Sequence, residues 1–158
     1  MKWTALPEWS EASIKATGGR MPLSLYLAIQ EGLQKTEPYF AILLDESWKD
    51  IRFRFDDKLG WLSRRAAGPT PVWVWKNEIR IAPGEWMKKG GLLDLSGPFG
   101  MSILVHEVVH CIQYLHRGTL ATALELWLPW TLGKQHADIQ WEEEASSVEA
   151  SFRHWAVS

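Results

Sequence analysis

Apolar positions recur along this chain with two different periods. The first twenty residues read as irregular or weakly helical, and Gly18-Gly19 ends them. Pro22 suits a helix start, with Leu23, Tyr26, Leu27 and later Leu33 supplying an apolar face at helical spacing. Gly32 weakens that helix by its backbone entropy. A second, short helix follows Pro38 through Tyr39-Phe40-Ala41-Ile42-Leu43-Leu44 toward Trp48. The period then becomes two. Ile51, Phe53 and Phe55 alternate with Arg52, Arg54 and Asp56, the pattern of a half-buried strand. Past Gly68-Pro69-Thr70-Pro71, Val72-Trp73-Val74-Trp75 and Glu78-Ile79-Arg80-Ile81 flank Lys76-Asn77 as a hairpin, and Pro83-Gly84 ends it. The expected result is a small antiparallel sheet ahead of a run that returns to helical spacing.

That run opens at Ser96-Gly97-Pro98, residues suited to a cap and first turn, and stops at Gly118. Leu104, Val108, Cys111 and Leu115 form one stripe, widened by Val105, Val109 and Ile112, while His106, His110, Gln113 and Arg117 fall opposite. A helix apolar around most of its circumference is buried, and its histidines then need partners. Beyond it, Thr119 can cap a helix carrying Leu120, Leu124 and Trp127, which Pro129 interrupts. A last helix is expected from about Asp138 to Trp155, with Glu142-Glu143-Glu144 in its first turns, where acidic charge favours the helix dipole.

Composition narrows the function classes. At 158 residues one domain spanning 1–158 is expected. A net charge of -2 gives no electrostatic case for nucleic acid or an anionic membrane as partner. The single cysteine, Cys111, lies on the apolar stripe and reads as a small core residue. Met1-Lys2-Trp3-Thr4 leads into no apolar signal core and no run reaches membrane-spanning length, so the expectation is a soluble, cytoplasmic protein. Eleven tryptophans are many for this length; most should pack the core, while Trp73, Trp75 or Trp86 are candidates to line a cleft.

His106-Glu107-Val108-Val109-His110 is an HExxH string. Residues four apart share one helix face, so both imidazoles can reach a single ion. Glu107 is turned about 100° from His106, beside the ion and not on it, where a carboxylate can take a proton from a metal-activated water. With five His and thirteen Glu, random placement gives this string in about one such chain in a hundred. The competing reading is a buried helix with two satisfied histidines. The Glu142–Glu144 run likewise reads either as a solvated face or as the source of a third ligand.

Taken in order, a small sheet, an HExxH helix and a later helix offering Glu 32 to 34 residues past His110 resemble the gluzincins, zinc peptidases whose third protein ligand is a downstream Glu. The resemblance runs from about Val72 to Trp155 and implies an α+β, zincin-like fold. Glu142-Glu143-Glu144-Ala145-Ser146 fits the E-x-x-A form and points to Glu142, with Glu144 second and Glu143 third. The resemblance implies Zn²⁺ held by His106, His110 and Glu142, Glu107 as general base, and a peptide or protein substrate running along Glu78–Ile81 as a sheet edge. Ser146 stands where such proteins often carry an acid or amide that orients the first histidine, and Glu149, seven residues past Glu142, either orients a ligand or is exposed. Cys111 to Arg117 lacks the glycine and third histidine of the metzincins. Oxyanion donors are sought among Tyr114, His116, His136, Arg153 and His154, with His136 first. The expected function is zinc-dependent peptide-bond hydrolysis. The alternative is a catalytically inactive metal-binding or protein-interaction module.

Overall fold

The computed structural model describes residues 4–55, 71–118 and 140–158. Among them the order is α1 (Glu11–Ala16), α2 (Leu23–Thr36), α3 (Pro38–Ser47), β1 (Arg52–Phe55), β2 (Val72–Trp75), β3 (Glu78–Ile81), α4 (Pro98–Arg117) and α5 (Gln140–Val157), with short 3-10 turns at Pro7–Trp9 and Trp48–Asp50. The class is α+β, and the buried apolar side chains form one cluster. The helix sought after Thr119 and His136 both lie outside the described residues. No helix among the described residues is long and apolar enough to cross a membrane.

The hairpin forms where its alternation places it. Lys76 takes φ 57 in the turn, and Val72, Val74, Ile79 and Ile81 are buried on the face shared with Phe53. The sheet, however, is mixed and not antiparallel. Its order is β1-β3-β2, with β1 parallel to β3 and β2 antiparallel to β3. Alternation fixes which face is buried but carries no information about strand direction. Direction here follows the hairpin turn: Asn77 Nδ2 donates to Asp50 O at 2.6 Å and Arg52 N donates to Asn77 O at 2.8 Å, which starts β1 alongside β3. β3 is therefore central, hydrogen-bonded on both sides, and Glu78–Ile81 is not the edge the substrate expectation required.

α4 lies between the sheet and α5, touching β2, β3 and α3, and its contact with α5 is the most extensive between helices. α5 also packs on α2, and Gly32 is what allows the approach. A Cβ there would stand 2.2 Å from Phe152 Cε2 and 2.7 Å from Trp155 Cζ3. The expected face of α2 is only partly right, since Leu23 and Leu27 are 58% and 54% exposed while Leu25, Tyr26, Ile29 and Leu33 are buried. Two i,i+4 apolar stripes compete on this helix, Leu23 with Leu27 and Leu25 with Ile29 and Leu33, and the second is buried where α2 meets α5 and α3. Trp86 belongs to the core: its ring meets Phe53 and its Nε1 donates to Trp9 O at 2.7 Å.

Candidate metal centre

Gly97 caps α4, Pro98 occupies its first turn, and Gly118 at φ 87 closes it with its N–H on Tyr114 O. The apolar stripe is buried as expected except at its last member, Leu115, which is exposed. Of the opposite stripe, His106, His110 and Gln113 are buried, and only Arg117, at the end of the helix, reaches water. All four side chains meet α5, through Glu142, Glu149, Trp141 and Glu144. α4 is thus buried on both sides, by apolar packing against the sheet and by a polar seam against α5.

At the centre of the seam His106 Nε2 lies 2.6 Å from Glu142 Oε1, and His110 Nε2 lies 2.9 Å from Glu142 Oε2 and 3.2 Å from His106 Nε2. The three residues are buried, and their ligand atoms fall within 4.8 Å of one another, a group that could hold a metal ion. The outer ring nitrogens are already engaged. His106 Nδ1 is 2.9 Å from Glu149 Oε2, and His110 Nδ1 is 2.8 Å from Gln113 Oε1. Both partners are acceptors, so each Nδ1 carries the proton. In a neutral imidazole Nε2 is then a lone pair, and two such lone pairs converge with a carboxylate on one point. Three buried acceptors facing each other repel unless a cation lies between them.

Without a metal that cation is a proton. Burial alone depresses the His106 pKa, but hydrogen bonds to Glu142 and Glu149, with the nearby charge of Glu107, outweigh it and push the value up to about 10. Two imidazoles and one carboxylate suit zinc and several other divalent ions. Cys111, buried on the far stripe, has its thiol pushed well up by burial and is not available as a thiolate.

Of the three acids at the start of α5, the one brought to the histidines is Glu142. Glu143 is exposed, and Glu144 instead accepts from Gln113 Nε2 at 2.9 Å and pairs with Arg117 at 2.9 Å. Ser146 is exposed; it is Glu149, two turns past Glu142, that holds His106, and it is in turn paired with Arg153. Glu107 is half-buried beside the trio. Among the oxyanion candidates, His116 and His154 are exposed, Tyr114 is buried with its ring against Trp75, and Arg153 is engaged with Glu149 and with Ser102 Oγ at 3.0 Å. Gln113 was given no role by its sequence. Its signal was present all the same, one turn after His110 on the histidine side of α4. No protein-family model matches the chain, nor does any curated protein or solved structure.

Proposed function

We propose that this protein is a zinc-dependent peptide-bond hydrolase with a zincin-like arrangement of the gluzincin type. The observation that carries the reading is the convergence of two Nε2 atoms and one carboxylate in a buried seam, with each Nδ1 already held by an acceptor. His106, His110 and Glu142 are the residues that would hold the ion. A bound Zn²⁺ would lower the pKa of a water toward neutrality and polarise the scissile carbonyl. Glu107, next to His106 but outside the ligand group, takes the proton of the attacking water and returns it to the leaving amine. A purely structural zinc site has no use for a carboxylate at that position.

A second reading, a metal-binding module without turnover, is favoured by one observation. Arg153, the cationic candidate for stabilising an oxyanion, is engaged with Glu149 and Ser102. One experiment separates the readings. Protein purified without a histidine tag is assayed for metal, then offered a peptide library and casein with and without chelator. The peptidase reading expects close to one zinc per chain, lost in His110→Ala, and chelator-sensitive cleavage. Zinc without cleavage supports the second reading, and absence of metal removes both.

A further inference from the structure

We propose that Gln113 is a positioning residue for the metal site, holding His110 in its ligating tautomer and setting Glu142 in register with it. The inference rests on the metal-site reading above. Gln113 is only 1% exposed, and its amide orientation is fixed by its neighbours. Its Nε2 donates to Trp141 O at 2.9 Å and to Glu144 Oε1 at 2.9 Å, so its Oε1 is the atom facing His110 Nδ1 at 2.8 Å. The flipped amide would set an N–H₂ against a ring N–H and a carbonyl against two acceptors. The same side chain therefore forces the proton of His110 onto Nδ1, leaving Nε2 to ligate, and grips the carbonyl of the residue immediately before Glu142. A ligand on α4 and a ligand on α5 are thereby fixed to each other by one buried amide. Behind it, Glu144 pairs with Arg117, whose guanidinium lies over the Trp141 ring at 4.6 Å, so the amide's two acceptors are themselves held in place.

Two variants separate positioning from packing. Gln113→Met keeps the length and volume but offers His110 no comparable acceptor, whereas Gln113→Glu keeps the acceptor for His110 and loses the donors to both Trp141 and Glu144. Zinc affinity is measured by competition with a chromophoric chelator, and the Nδ1–H protons of both histidines are followed by ¹⁵N-edited NMR of the zinc-loaded proteins. In Gln113→Met, zinc affinity should fall about 10- to 100-fold. Its His110 Nδ1–H signal should be lost to exchange while that of His106, held by Glu149, persists. Gln113→Glu should retain the His110 signal and bind more tightly than Gln113→Met. Affinity within threefold of wild type in Gln113→Met, equal losses in the two variants, simultaneous loss of both histidine signals, or failure of both variants to fold would each overturn the assignment. If wild type binds no zinc, the metal-site reading itself fails and this inference goes with it. If wild type binds zinc and the Gln113 variants behave alike, only the inference fails.

Discussion

His106 Nδ1 and Glu149 Oε2 meet at 2.9 Å across the α4–α5 seam, although the two residues are 43 positions apart in sequence. Glu149 is also paired with Arg153 one helical turn further on, so it is held from behind while it holds the histidine. Glu149→Gln keeps the size of the side chain but removes the charge that both neighbours use. Zinc affinity should fall about 10- to 100-fold, the usual cost of losing a partner behind a ligating histidine. Chelator competition measures it, and an unchanged affinity would mean that His106 needs no such partner.

The three adjacent acids at the start of α5 should separate cleanly. A helix turns about 100° per residue, so one of the three aims at the histidines while its neighbours point elsewhere. Glu142→Gln should weaken zinc binding at least about tenfold by removing a ligand charge. Exposed Glu143 should tolerate the same change without loss. Glu144→Gln should fall between them, since Glu144 reaches the site through Gln113 and Arg117. Zinc retained in Glu142→Gln but lost in Glu144→Gln would reverse the register.

Protons and metal compete for the same point. In the metal-free protein His106 has its pKa pushed up to about 10, above the ordinary value of about 6.5. A raised folded-state pKa means that the charged histidine stabilises the fold fully below about pH 6.5, and that this contribution is lost as pH rises through about 10. The Tm of the metal-free protein should therefore decline from pH 7 to pH 10 more steeply than that of a His106→Ala control. Zinc affinity should move the opposite way, rising between pH 6 and pH 8 because binding displaces a proton. Calorimetry in buffers of different ionisation enthalpy reads that release directly; no proton released per zinc would contradict the assignment of His106 as a ligand.

Gly32 shows why the fold was only partly legible. In sequence it is a residue that weakens a helix, and Ala would improve local propensity by about 1 kcal/mol. In the structure its missing Cβ is the space into which Phe152 and Trp155 of α5 pack. Overpacking at such a contact costs about 1–3 kcal/mol, so the net effect of Gly32→Ala should be destabilising, and Tm should fall by a few degrees. Because α5 carries Glu142, zinc affinity should weaken as well. A higher Tm would show that propensity, not the helix contact, decides this position.

Local periodicity identified the hairpin, the long α4 and the histidine pair, because each is written within a few turns or a few strand residues. What it could not supply were relations between distant segments. The parallel pairing of β1 with β3 depends on Asn77 reaching Asp50, and the choice between the two apolar stripes of α2 depends on where α5 docks. Glu149 had the right spacing from Glu142 to sit near the same face, yet spacing alone left it equally consistent with exposure. Gln113 fell on the histidine side of α4 with nothing in the chain to show that α5 would cover it.

Glu107 decides between chemistry and binding. It neighbours His106 on α4, is half-buried, and is not one of the three residues whose ligand atoms converge. Glu107→Gln conserves volume and most hydrogen-bonding shape but removes the group able to accept a proton from water. Zinc content and Tm should stay near wild type, while peptide turnover falls about 10²-fold or more, the scale set by loss of a general base. The comparison needs a cleaved substrate, found by the library screen, and turnover measured with and without chelator to tie it to the metal. Wild-type turnover in Glu107→Gln would end the water-activation mechanism even if zinc remains bound. A loss of zinc in the same variant would instead make Glu107 part of the metal shell and return the role of base to another residue.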